Sequence, residues 1–163
     1  MKKIIALLLT AAIIAGSYSA DAQLTDKTSL LNMQAIGVSK AALKAERDFW
    51  KKNGEGKGEL WYKTPKTILA TFSEKGISNM VVYDIRGNWV YTIRQYYEKD
   101  MPADVRKLVK SSYYDDTIGW IKEVWLSDTP DVPVYVVHVE NNSSWKELSV
   151  HDGGVEVLQS FRK

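Results

Sequence analysis

The sequence contains no cysteine. Disulfides, thiol nucleophiles, dithiol redox chemistry and thiolate metal sites are therefore excluded. Histidine is almost as scarce: His138 and His151 are the only two, and neither has a second histidine at metal-ligand spacing. There is no Gly-x-Ser-x-Gly elbow to expose a serine nucleophile and no twelve-residue calcium loop. Gly54, Gly56 and Gly58 alternate as G-x-G-x-G but lack the Gly-Lys-Ser/Thr ending of a phosphate loop, so they read as a turn. A charge excess is missing too. Twenty-two Lys and Arg face twenty Asp and Glu, a formal +2, which gives no electrostatic reason to seek nucleic acid or an acidic membrane.

Long apolar runs are absent apart from one, at the start. Lys2 and Lys3 precede an apolar stretch from Ile4 to Ile14, broken only by Thr10, and Ala20-Asp21-Ala22 follows. A positive start, a short apolar run and a small-x-small triplet are the parts of a cleavable secretory signal. The run is shorter than the roughly 20 residues that span a bilayer. Residues 1–22 are thus expected to be removed, with Gln23 as the mature N-terminus and no membrane span afterwards. No cysteine is present there for lipid attachment. The expected location is periplasmic or secreted. The remaining 141 residues are enough to bury about two-thirds of their surface without a disulfide.

What the sequence does have is alternation and aromatics: six Trp, nine Tyr and three Phe. Residues 23–38 form a leader of ambiguous pattern. Ser39 to Lys52 predicts a helix, with Ser39 as its cap and Ala42/Phe49 and Leu43/Trp50 as its apolar stripe. The glycines at 54, 56 and 58 end it. Strands are predicted near 59–63, 67–73, 79–84 and 88–97, separated by Thr64-Pro65-Lys66, Glu74-Lys75-Gly76 and Asp84-Ile85-Arg86-Gly87-Asn88. A second helix opens at Asp100-Met101-Pro102 and places Val105, Leu108, Val109 and Ser112 on one face. Four more strands follow, near 118–126, 133–140, 145–151 and 155–161. The order helix, four strands, helix, four strands implies an α+β fold. It reads as a tandem repeat of one helix packed on a four-stranded antiparallel sheet, with units at 39–99 and 100–163 and solvent on the other side of each sheet.

Several motifs carry a resemblance. Met101-Pro102-Ala103-Asp104-Val105 looks like the helix start of PepSY-like proteins, also called β-lactamase-inhibitor-like (BLIP-like) proteins of Bacteroidetes-type envelopes. Tyr83-Asp84 followed by Gly87-Asn88-Trp89 resembles their Tyr-Asp-x-x-Gly-x-Trp hairpin, and Leu60-Trp61-Tyr62-Lys63 with Ala70-Thr71-Phe72 resembles their first two strands. The match spans about residues 39–162. His151-Asp152-Gly153-Gly154 departs from the hairpin pattern, lacking its Tyr-Asp start and its Trp. The resemblance implies a helix on a curved antiparallel sheet, twice over. It does not imply inhibition of a β-lactamase, because fold and function separate readily.

Chemistry-bearing clusters are few. Ser143-x-x-Lys146 lies at a strand turn, not at the helix start that penicillin-recognising enzymes use. Asp115-Asp116 and Asp128/Asp131 read as solvated turn carboxylates, and Asp116-Thr117-Ile118 resembles a Bacteroidetes-type O-glycosylation triplet. Strict alternation along the fourth strand turns Trp89, Tyr91 and Ile93 toward a helix, with Tyr135, Val137 and Val139 doing the same along the sixth. The face away from the helices is then expected to carry Arg94, Tyr96, Val134, Val136 and His138, joined by Trp125 and Trp145. Tyr, Trp and Arg dominate recognition hot spots. These seven residues are therefore the candidate surface for an unidentified protein or peptide, and no cofactor or metal is expected. The leading reading is an exported non-catalytic binding module, inhibitor-like or sensor-like. The alternatives are a small envelope hydrolase using His138 and a structural envelope protein with no ligand.

Overall fold

The computed structural model describes residues 39–163; the expected signal and leader lie outside the described residues. Helix α1 (Lys40–Asn53) is followed by strands β1 (Leu60–Lys63), β2 (Thr67–Glu74), β3 (Ile77–Asp84) and β4 (Trp89–Tyr97). A 3-10 turn at Glu98–Asp100 leads to helix α2 (Ala103–Ser112), then β5 (Thr117–Leu126), β6 (Val134–Glu140), β7 (Ser144–His151) and β8 (Gly154–Arg162). No helix among the described residues is long and apolar enough to cross a membrane.

Local chemistry accounts for the boundaries. Ser39 Oγ accepts the Ala42 amide at 3.1 Å and starts α1. Gly54, at φ 84°, ends it with its N–H on the Trp50 carbonyl, a positive-φ C-terminal stop. Pro102 caps α2, and its carbonyl accepts from Arg106. The β2–β3 turn places Lys75 and Gly76 at positive φ, and the β7–β8 turn does so with Asp152 and Gly153, the signature of tight hairpins that match strand twist.

The eight strands form one antiparallel sheet in simple sequence order, β1 to β8. The helix–four strands order occurs twice, but two separate four-stranded layers do not. Strand β4 pairs with β5 over seven register positions, from Tyr91↔Leu126 to Tyr97↔Trp120, so the sheet runs unbroken between the halves. An isolated four-stranded layer would leave β4 and β5 as long exposed edges, a recognised hazard; pairing them removes both.

Both helices lie on the same face. The α1 residues Ala42, Ala45 and Phe49 pack on Trp61, Ile68, Ala70, Phe72, Val81 and Tyr83. Phe49 meets Trp61 and Phe72 edge-on, each with centroids 5.4 Å apart, a favoured aromatic geometry. From α2, Val105 and Val109 pack on Tyr96, Ile121, Val137, Val139, Leu148 and Val150.

The opposite face is not the solvated surface that alternation suggested. Ile93, Val124, Leu126, Val134 and Val136 form a third buried cluster, with Met80, Tyr91, Trp120 and Leu158 packed against it. No described helix lies over them. Bulges interrupt the pairing of β3 with β4, β5 with β6 and β7 with β8. Each bulge bends its strand.

Candidate functional site

The bulge in β4 decides which side chains share a surface. Tyr83 pairs with Trp89 and Val82 with Tyr91, leaving Val90 as an extra residue. One extra residue inverts the alternation beyond it. Trp89 packs with the α1 cluster, while Tyr91 and Ile93 turn to the face away from the helices. Arg94 and Tyr96 consequently lie on the helix-bearing face, contrary to the alternating reading. Trp125 pairs with Thr92 and shares that face. Val134, Val136, His138 and Trp145 do lie on the face away from the helices. The seven candidate residues are thus divided between two surfaces, three on one and four on the other.

Arg94, Tyr96 and Trp125 converge on Glu123. This carboxylate accepts the Tyr96 hydroxyl at 2.8 Å, the Trp125 indole N–H at 2.6 Å and an Arg94 guanidinium N–H at 3.1 Å. Burial pushes the Tyr96 hydroxyl pKa up, and its hydrogen bond to Glu123 adds to this. The cluster lies on the helix-bearing face, and the Tyr96 hydroxyl, the Trp125 indole N–H and Arg94 Nη1 all donate to Glu123. It is a structural network between the α1 and α2 cores.

The other face carries a row of rings across four neighbouring strands: Trp120 on β5, His138 on β6, Trp145 on β7 and Phe161 on β8. Their centroids are 5.3, 5.4 and 4.4 Å apart in that order. The row is possible because the bulge between Ile118 and Ile121 brings Trp120 to the same face as His138. Gly119 allows the crossing, since a Cβ there would sit 3.0 Å from the His138 ring. The Lys122 ammonium lies 4.4 Å from the Trp120 ring centroid, at the end of the row away from Phe161. Phe161, 49% exposed, ends the row at the sheet edge, and Tyr97, 66% exposed, pairs with Trp120 on its other side.

Polar groups are set among these rings. Glu147 pairs with His138 across the strands and accepts a hydrogen bond from Gln159 Nε2 at 2.5 Å. Ser149 is fully buried beside Val136, and its Oγ has no hydrogen-bond partner; nor does His138 Nδ1. Burial lowers the Lys122 pKa from its ordinary value, a shift that Glu147 opposes. Composition missed Lys122, Ser149, Trp120 and Phe161. A usable signal was a lysine two residues from Trp120 and two from Val124, which strand periodicity places on one apolar face.

Among the described residues, no serine or carboxylate hydrogen-bonds to His138, the contact that a hydrolase built on His138 with a nearby acid or serine calls for. No group of three or more His, Asp or Glu among them is arranged to hold a metal ion.

No family model matches the sequence, and no curated protein sequence does. Solved structures do. A BLIP-like protein from Bacteroides fragilis superposes with a TM-score of 0.61 at 18% identity, covering 79% of this chain and 91% of that one. A DUF2874 family protein from Bacteroides ovatus gives 0.59 at 18% identity, covering 73% and 85%. A protein from Bacteroides eggerthii with a provisional periplasmic designation gives 0.58 at 17% identity, covering 73% and 86%. These likenesses support the BLIP-like part of the resemblance and not the PepSY part specifically. The protein has an α+β, BLIP-like fold: among the described residues, two helices lie on one face of a single eight-stranded antiparallel sheet.

Proposed function

We propose that the protein is an exported, non-catalytic binding module that recognises a protein or peptide in the cell envelope, in an inhibitor-like or sensor-like role. Its recognition surface is the sheet face turned away from the helices. The observation that carries this reading is the row Trp120–His138–Trp145–Phe161 across β5 to β8. Large rings held by their neighbours lose little conformational freedom when a partner docks, which favours aromatic recognition surfaces.

The reading keeps Val134, Val136, His138 and Trp145 from the sequence-derived surface. Arg94, Tyr96 and Trp125 leave it because Glu123 holds them on the other face. The periplasmic designation of the Bacteroides eggerthii neighbour and the signal-like first 22 residues support an envelope location. The repeated element order supports reading the halves as two copies of one unit, joined into one sheet.

The test is capture of partners from envelope extract by the mature protein with Trp145→Ala, Trp120→Ala or Trp125→Ala, with circular dichroism to verify folding. The expected result is loss of a captured species with the first two variants and its retention with the third. Identical capture by all three would remove this face from the function.

A further inference from the structure

The sheet face away from the helices is shielded from water, yet no described helix or strand is layered on it. Ile93, Val124, Leu126, Val134 and Val136 are each at most 9% exposed. Across the strands from Val136, Lys122 is 5% exposed and Ser149 is fully buried. Cross-strand neighbours stand side by side and shield one another's flanks, whereas their outward tips stay wet until a second layer packs on them. Both described helices pack on the other face, and the strands form a single layer.

The start of α1 shows where a cover can come from. Gly87 of the β3–β4 hairpin lies against the Ala41 carbonyl, and Lys44 Nζ donates to Asn88 Oδ1. Strand β4 leaves that hairpin at Trp89 and carries Tyr91 and Ile93 onto the apolar face. Leu126 pairs with Tyr91, and Val134 with Val124. The apolar cluster therefore occupies the end of the sheet at which α1 begins. Residues 23–38 lie between the expected mature N-terminus and the Ser39 cap. Sixteen residues reach about 50 Å when extended and about 24 Å even at the rise of a helix. Packed layers are only about 10 Å apart, so either length suffices to round the hairpin and cross the cluster.

The composition of this segment suits the face. Residues 28–39 contain no Asp, Glu, Lys or Arg, and Leu30, Leu31, Met33, Ile36 and Val38 fall within them. Laying these side chains on a cluster of Ile, Val and Leu removes apolar surface of both from water. We propose that residues 23–38 turn around the β3–β4 hairpin and lay Leu30, Leu31, Met33 and Ile36 on the Ile93–Val124–Leu126–Val134–Val136 cluster. The occupant of this apolar face is thus a segment of the same chain. The contact stands independently of the binding-module reading and sharpens it: the chain itself closes the apolar end of the face, and the ring row toward the other end is left to a partner.

The absence of cysteine makes the test direct. In the mature protein, Asn32→Cys and, separately, Gln34→Cys each carry a single nitroxide label, and methyl resonances report its position. The Ile93, Val124, Leu126 and Val134 methyls are expected to lose most of their intensity, while those of Val105 and Val109 in α2 keep theirs. Adding Leu30→Ser, Leu31→Ser and Ile36→Ser is expected to restore the lost intensity and to increase fluorescence of an added apolar dye, with an unchanged circular dichroism spectrum. Full intensity at the cluster with both labels overturns the proposal and leaves the face closed by the curl of the sheet alone. Broadening that survives the three serines, or that falls on the α2 methyls instead, overturns it as well. So does broadening in a mixture of nitroxide-bearing chains with isotope-labelled, cysteine-free chains, which would assign the cover to a second copy. The label is read without any partner, so failure here leaves the binding-module reading to stand or fall on Trp145-dependent capture.

Discussion

At the Tyr83–Trp89 hairpin, single atoms decide what is tolerated. Asp84 accepts backbone amides from Arg86 and Asn88 and the Asn88 side-chain amide, at 2.8, 2.9 and 2.8 Å. Hydrogen bonds to Asn88 come first among the causes that hold its carboxyl below the ordinary 3.8. A carboxyl depressed on folding stabilises the protein above its unfolded pKa, and that contribution is lost as pH falls through the lower, folded value. The acid limb of melting temperature against pH, below about pH 4, is therefore expected to be shallower for Asp84→Ala than for wild type. Parallel limbs would remove Asp84 from the acid response. Gly87 has two reasons to be glycine. Its φ is 78°, and a Cβ would lie 2.3 Å from the Ala41 carbonyl oxygen of α1. Gly87→Ala is expected to destabilise by roughly 2–4 kcal/mol in urea unfolding, whereas Gly153→Ala, with open space around it, is expected to cost about 1 kcal/mol. The Asp-x-x-Gly turn was legible in the sequence. The helix carbonyl pressed against it was not, because nothing local to residues 84–89 specifies what packs on them.

Elements were more legible than their orientation. The capping serine, the glycine stops and the turn residues mark both helices and all eight strands to within about two residues. Bulges escape such reading, because one inserted residue leaves the apolar pattern on either side intact and only changes which face it points to. In β4 this exchanged Tyr91 and Ile93 for Arg94 and Tyr96. The exchange has an energetic consequence that can be measured. Glu123 is buried on the helix-bearing face with three donors on it. Glu123→Ala is expected to cost about 2–4 kcal/mol, since it leaves the Tyr96 hydroxyl and the Trp125 indole N–H unpaired. Adding Tyr96→Phe to that variant is expected to recover part of the loss in a double-mutant cycle. A strictly additive cycle would show that the two groups do not interact. If Arg94 and Tyr96 faced solvent instead, both substitutions would be close to neutral.

For the whole molecule, the β4–β5 pairing joins the two helix-plus-four-strand runs into one sheet, which is expected to unfold as one cooperative body. Phe49→Ala, which empties the core under α1, is therefore expected to lower hydrogen-exchange protection of β6 and β7 amides as well as those of β2 and β3. Protection lost only in β1 to β3 would mean that the halves unfold independently. The amino-acid sequence alone determined the elements, their order, the antiparallel class and the absence of thiol chemistry, because caps, turns, alternation and composition act over a few residues at a time. The tertiary structure decided that two four-strand runs share one sheet, that Arg94 and Tyr96 belong with Glu123, and that Trp120, His138, Trp145 and Phe161 from four strands form one row of rings. Those outcomes depend on strand pairing and bulge placement between residues as far apart in sequence as Tyr91 and Leu126, where no local pattern carries the information.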